Sequence, residues 1–267
     1  MFTNKDHTFV ICAYKESPFL EECINSLLNQ TIKSNIIIET STPNNYIDTY
    51  ADRYGIKVFI NNNGGLAKDW NFGYNCAKTK LITIAHQDDI YDADYVENVL
   101  KYANKSNDPI IIFTDYYEIR NGKKTPNNLN LIIKRIMNNG YKRNNNQDSI
   151  KFRRRILSFG DSISCPTVTL VKTKCGASPY NENFQCSADY KTWSELSKLN
   201  GSFVYVPKKL MGHRIYEEST TTESLKNNVR QAEDASILME YWPKPIANLI
   251  YKIYSNSEKS NKIKYKY

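Results

Sequence analysis

Ile82-Thr83-Ile84-Ala85-His86-Gln87-Asp88-Asp89-Ile90-Tyr91 is an apolar strand that runs straight into two adjacent carboxylates. In a chain that alternates strands and helices, ligands gather outside the carboxyl ends of the strands. Asp88 and Asp89 fall at such an end. Hard divalent cations such as Mg²⁺ or Mn²⁺ take oxygen ligands, and a phosphate-bearing ligand would supply the remainder. The same pair also suits a solvated turn capping the next helix, because Asp favours turns and caps.

Upstream, the spacing predicts a repeating strand–helix unit. Thr8-Phe9-Val10-Ile11-Cys12-Ala13 reads as a buried strand. Ser17 is expected to cap a helix, with Pro18 at its first position and Glu21 and Glu22 in its first turn. Phe19, Leu20, Cys23, Ile24, Leu27 and Leu28 give it an apolar stripe. Further strands are expected at Asn35–Thr40, Ile56–Ile60 and Lys80–Ala85, with helices ending near Tyr54 and spanning Leu66–Ala77. A helix near Ala93–Tyr102 and a strand over Pro109–Thr114 continue the pattern. Such alternation implies right-handed crossovers and a parallel sheet.

After Arg120 the pattern breaks. A short helix is expected over Leu129–Met137, a strand at Thr167–Val171, a helix over Ala188–Leu199 and a strand at Ser202–Val206. A final helix is expected near Thr222–Met239.

The chain has 267 residues, 40% hydrophobic and 12% aromatic, enough for a sizeable core. It contains no apolar run long enough to span a membrane. Met1-Phe2-Thr3-Asn4-Lys5-Asp6 offers no signal peptide, so a cytoplasmic setting with reduced thiols is expected for the six cysteines. None forms a close CxxC pair, which argues against zinc. The net charge of +8 is unevenly placed. Residues 120–155 hold eleven Lys/Arg against the single acid Asp148, and residues 251–267 hold five Lys against Glu258, leaving the rest net acidic. Basic segments seek phosphate on nucleic acid, lipid headgroups or substrate.

Four loops fall at one carboxyl edge of the expected sheet: Ala13-Tyr14-Lys15-Glu16, Glu39-Thr40-Ser41-Thr42, Gly64-Gly65 through Lys68 and Asn71, and Asp88-Asp89. Loops at this edge form a crevice suited to a nucleotide. Tyr14 can pack against a base, and Glu39 can accept from its imide or amide N–H. Gly65 lets backbone approach a ligand at a helix N-terminus suited to phosphate. Each also has a plain structural role available, and the Gly-Gly pair is not a P-loop.

This layout resembles the family 2 glycosyltransferases of the GT-A fold. The resemblance is carried by Phe9 to Ser17, by Asn63-Gly64-Gly65-Leu66-Ala67-Lys68-Asp69-Trp70-Asn71, and by His86-Gln87-Asp88-Asp89 in place of the family's DxD-type metal motif. It implies an α/β, Rossmann-like, mostly parallel central sheet flanked by helices, with an acceptor-binding C-terminal half. Residues 1–240 would form one domain, with 1–115 its nucleotide-sugar-binding half and 116–240 its acceptor-binding half. A basic aromatic tail over 241–267 would follow. The implied reaction is inverting transfer from a nucleotide-sugar donor, UDP by default, to a hydroxyl acceptor.

Carried over residue by residue, the resemblance makes Ala13, Tyr14, Glu16, Glu39, Ser41, Gly65, Lys68, Asn71 and Asp88 the donor-nucleotide set. Asp89 and His213 would hold Mn²⁺ or Mg²⁺. Arg214, Ser164 and Trp193 would contact diphosphate or acceptor, and Asp189 would serve as general base. Two departures stand out. Ala188 replaces the glutamate of the family's Glu-Asp pair, which leaves Glu182 open as the base. Glu39-Thr40-Ser41-Thr42 replaces its aspartate-rich turn.

The basic segment 120–155 and the tail suggest an acceptor that is a glycan or lipid-linked glycan of the cell surface. The enzyme would then sit peripherally on the inner face of the plasma membrane. Packing of the tail on the domain is the alternative. A nucleotidyltransferase would need a basic phosphate loop that Ala13–Ser17 does not supply. A nucleic-acid-binding or catalytically degenerate protein also remains open, although no nucleic-acid motif is present.

Overall fold

The computed structural model describes residues 1–216 and 229–258. Strands β1 (His7–Ala13), β2 (Asn35–Thr40), β3 (Lys57–Ile60) and β4 (Leu81–His86) alternate with helices α1 (Leu20–Leu28), α2 (Asn45–Tyr54) and α3 (Leu66–Cys76). Then come β5 (Ile90–Tyr91), α4 (Tyr95–Ala103), β6 (Pro109–Arg120) and β7 (Lys123–Thr125). The second half holds α5 (Leu129–Asn138), α6 (Asn144–Gln147), α7 (Ile150–Leu157), β8 (Val168–Val171), α8 (Lys172–Cys175), α9 (Ala188–Leu196) and β9 (Ser202–Ile215). Two more helices span Val229–Leu238 and Lys244–Glu258. The 222–228 part of the helix expected over Thr222–Met239 lies outside the described residues.

The nine strands form one sheet in the order β3-β2-β1-β4-β8-β6-β9-β5, with β7 on β6. β1 to β4 pair in parallel, and β6 pairs in parallel with β9. β8 runs against both β4 and β6, and β5 against β9. The parallel half is the part announced by strand–helix alternation. The antiparallel insertion of β8 was not announced.

Both faces of the central strands are covered, which is why β1 and β4 are apolar almost throughout. Phe9, Ile11 and Ala13 point into a core shared with α1, α2 and α4. Val10, Ile82 and Ile84 point into a second core with α3, α9 and the Val229–Leu238 helix.

Local signals explain the element ends. The Asn44 side chain accepts from Ile47 N–H at the start of α2, and Gly55 ends that helix in the left-handed region at φ 63°. Ser17 acts a turn early: its hydroxyl accepts from Phe19 N–H, and α1 begins at Leu20.

Two strands outrun the expected limits. β6 continues to Arg120 and β9 to Ile215. Pro207-Lys208-Lys209 looks like a strand end, but Thr114 pairs with Val206 and Asp115 with Lys209. Pro207 and Lys208 are thus extra residues in a bulge, where a missing N–H costs no ladder bond. His213 and Arg214 therefore lie on β9, not after it, and β9 delivers them beside β5, where Ile90 pairs with Gly212.

The basic segment is not uniformly free. Arg135 pairs with Asp115 at 2.7 Å, and Arg153 is wholly buried. Tyr241 and Trp242 bond to the body through Ser194 and Ser158, so the start of the tail is docked on it.

Candidate active site

β4 ends at His86, and the next turn places three donor groups together. Ligand atoms of His86, Asp88 and Asp89 all lie within 4.8 Å of one another. Asp89 is fully buried. Its carboxylate accepts from Arg214 N–H at 3.0 Å and lies 3.0 Å from His213 Nδ1 and 3.7 Å from His86 Nδ1. Burial alone would raise Asp89; His213 and His86 reverse this and hold it below the usual carboxylate range. Burial and the Asp89 charge beside it push Asp88 up. Burial would lower His213, but Asp89 and Asp88 lift it to about 9.

Sequence reasoning missed His86. Its ring stacks on Trp70 with centroids 5.4 Å apart, and its Nε2 is buried without a hydrogen-bond partner. A buried unpaired imidazole nitrogen next to two carboxylates fits a divalent cation with mixed N/O ligands. His213, expected as a ligand, stands against Asp89 outside that trio. Arg214, expected at the diphosphate, is committed elsewhere. Its Nε donates to the Asp88 carbonyl at 2.9 Å, its Nη2 pairs with Glu22, and the guanidinium covers the Phe19 ring. It braces the Asp88–Asp89 turn.

Of the loops expected at the nucleotide edge, the β1 loop meets this turn. The Gln87 side chain bonds both the N–H and the carbonyl of Tyr14, tying the β1 loop to the β4 turn. Ala13 is buried, while Tyr14, Lys15 and Glu16 are exposed, and Lys15 N–H donates to the Thr42 hydroxyl. Glu39 sits opposite Cys12 and is only 1% exposed. Burial pushes its carboxyl up to about 8, and its Oε2 has no partner.

Around α3, Asp69 accepts from the Ser41 hydroxyl, the Asn61 amide and Gly65 N–H. Ser41 is thus a brace for the glycine loop, which turns at Gly65 with φ 144°. Asn71, expected at the nucleotide, holds Tyr180 N–H and carbonyl and reaches Glu182. Lys68, Asn71 and Glu182 line a separate cleft of about 310 Å³ with Asn61 and Asn63.

Asp189 lies in the first turn of α9. Burial raises its carboxyl, while Arg230, Lys134 and His86 pull it back down. Burial and Asp189 lift Asp161 to about 8. Burial, Asp189, Asp161 and Asp89 all push the Cys165 thiol up. Glu182 lies instead by α3.

Trp193, expected at the acceptor, is wholly buried and gives its indole N–H to Ile163 O. It is not brought to the surface. Ser164 remains half-buried.

Also unforeseen was Glu233, whose carboxylate accepts from the backbone N–H groups of Gln185, Cys186 and Ser187 just before α9. Asp234 accepts from the Ser187 hydroxyl at 2.6 Å. Together they fix the turn that carries Asp189. An Asp/Glu pair within a helix gives no sequence signal of a partner so distant in the chain.

The family model described as Glycosyl transferase family 2 matches residues 8–162. A Haemophilus influenzae protein described as an uncharacterized glycosyltransferase is 24% identical over 225 residues, 80% of this chain and 66% of its own length. A Methanocaldococcus jannaschii protein of like description is 29% identical over 218 residues, 77% of this chain and 69% of the relative. The chain therefore spans about two thirds of the length of these relatives.

Among solved structures, S. aureus TarS 1-349 in complex with UDP-GlcNAc matches with a TM-score of 0.62 at 13% identity, covering 96% of this chain and 73% of that one. The mannosyltransferase PcManGT from Pyrobaculum calidifontis, in complex with GDP-Man and Mn²⁺, matches at 0.58 and 11% identity, covering 97% and 76%. At these identities the likeness carries the fold, which is GT-A.

Proposed function

The chain belongs to glycosyl transferase family 2, and from that premise we propose that it moves a sugar from a nucleoside-diphosphate sugar to a hydroxyl acceptor, inverting the anomeric centre. One observation supports this reading: the His86, Asp88 and Asp89 donors gather within 4.8 Å of one another at the carboxyl end of β4.

His86, Asp88 and Asp89 would hold Mn²⁺ or Mg²⁺. Bound there, the cation would supply Lewis-acid stabilisation to the departing diphosphate. His213 and Arg214 N–H fix the Asp89 carboxylate, and the Arg214 guanidinium fixes the turn. Asp189 would take the proton of the attacking hydroxyl; its raised affinity for protons suits a base working near neutral pH. Burial keeps that affinity high.

Tyr14 and Glu39 would take the nucleobase. At neutral pH the Glu39 carboxyl is protonated, so it can both donate and accept. That matches the adjacent N–H and carbonyl on a uracil or guanine edge. The acceptor we assign is a glycan or lipid-linked glycan, in assembly of a cell-surface polysaccharide.

Calorimetric titration of UDP, GDP and their sugars, with Mn²⁺ and with EDTA, tests the donor site. Binding should require metal, name the base, and weaken about tenfold or more in Asp88→Asn, as expected for a lost ligand. Asp189→Asn should retain donor binding and lose about 10²–10⁴ in kcat. No metal-dependent binding of any nucleotide would remove the donor site, and normal turnover in Asp189→Asn would remove Asp189 as base.

A further inference from the structure

We propose that α5, α7 and the Lys244–Glu258 helix form one docking face for an anionic lipid bilayer. On α5, Leu129, Ile132 and Ile136 are exposed; on the last described helix, Ile246, Leu249 and Ile253 are exposed. Both sets follow the same i, i+3, i+7 spacing, so each makes a single aliphatic row. Ile136 is 70% exposed and Ile253 66%. The two helices pack against each other. The opposite side of the last helix, at Ala247 and Tyr254, is buried in the body, so the exposed row is the side left over after docking.

Between α7 and the start of the tail lies a cavity of about 450 Å³ lined by Lys151, Arg154, Arg155, Phe159, Tyr241 and Trp242. Arg154 stacks on Tyr241 at 4.8 Å, yet its Nη1 is buried without a partner. Lys151, Arg155 and Phe159 are exposed. Apolar rows, Trp and Tyr rings and guanidinium groups match the depth profile of a bilayer surface: acyl chains, then the interface, then phosphate.

Charge selects this occupant over a second copy of the chain. α5 and α7 contain no Asp or Glu, and the last described helix carries one, Glu258 at its end, with Asp148 just before α7. A two-fold contact would set this predominantly basic face against itself, arginine against arginine. An anionic bilayer offers the complementary sign.

The face also lies behind the proposed acceptor site. The Tyr254 hydroxyl on the last helix donates to the Asp161 carbonyl at 3.0 Å, and Asp161 neighbours Asp189. Assigning the lipid as the acceptor's anchor rests on the transfer reading; docking itself does not.

Flotation of the whole chain with vesicles tests the docking. Recovery should be about tenfold higher with vesicles containing phosphatidylglycerol than with phosphatidylcholine alone, and should fall with added salt. Ile136→Ser with Ile253→Ser, and separately Lys151→Glu with Arg155→Glu, should each abolish recovery while leaving thermal unfolding and nucleotide titration in solution unchanged. Equal recovery on both vesicle types, no flotation, or full recovery of either double variant would overturn the proposal. So would a concentration-dependent dimer dissolved by the Ile136/Ile253 changes, which would assign the face to a second copy. Nucleotide titration reads the transfer proposal independently, so the two can fail separately.

Discussion

At the residue scale, the site is built from acids whose proton affinities are set apart by their surroundings. Asp89 is held ionised by two histidines, while Asp189, Asp161 and Glu39 are pushed towards the neutral form by burial. Glu39 gives a clean test. Its carboxyl releases its proton near 4.5 when unfolded and near 8 when folded. Between those values the folded state binds more protons, so stability from this group is greatest below 4.5, declines as pH rises, and levels off above 8. Glu39→Gln should remove that decline, which is on the order of 5 kcal/mol across the window. Urea unfolding of wild type and variant from pH 4.5 to 8.5 reads it. Parallel pH dependences would show that Glu39 is ionised in the folded protein.

At the scale of elements, function depends on where strands and helices end and how closely they approach. The β9 bulge at Pro207-Lys208 carries the strand far enough to set His213 against Asp89. Glu233 and Asp234 clamp the start of α9, so Asp189 is held by a helix that follows it in sequence. α3 lies tight on the sheet at Gly73, where a Cβ would meet Val10 Cγ1 at 2.5 Å and Glu39 Cγ at 2.7 Å. Gly73→Ala gains about 1 kcal/mol of helix propensity. Overpacking against a buried strand side chain costs about 1–3 kcal/mol, and here neither neighbour is free to swing away. The net expectation is a loss of about 1 kcal/mol or more, read by urea denaturation, together with weaker nucleotide binding through the displaced Glu39. Unchanged stability and binding would mean that α3 can lift off the sheet without cost.

At the scale of the molecule, the two halves are joined by one sheet with a core on each face, and the second half is pinned by buried polar groups. Arg153 on α7 donates to the carbonyls of Ser197, Leu199 and Gly201 between α9 and β9. These carbonyls belong to the turn between α9 and β9, so the guanidinium ties α7 to that turn. Arg153→Met fills similar space but leaves buried acceptors unpaired. We expect a loss of about 3 kcal/mol or more in chemical denaturation, with the acceptor half loosening first by hydrogen exchange. A loss under about 1 kcal/mol would show that water replaces the guanidinium.

The sequence by itself determined the parallel half of the fold and singled out the Asp88-Asp89 turn as a candidate site. Period and punctuation are local: a run such as Phe9–Ala13, a cap such as Asn44 and a stop such as Gly55 act within a few residues, so the chain displays them directly. Asp88 and Asp89 were legible for the same reason, because a strand end announces itself. Tertiary structure alone decided which side chains complete that site. His86 is recognisable only once Trp70 stacks on it and its Nε2 is seen to be unpaired. Trp193 and Arg214 suit a cleft on paper, but Ile163, Asp88 and Glu22 take their donors. The charge of residues 120–155 looked uniform, yet Arg135 and Arg153 are used inside the fold, while Lys151 and Arg155 of α7 are exposed. Contacts between residues dozens to more than a hundred positions apart are set by the sheet order, and nothing in a single strand or helix encodes where β8 will be inserted.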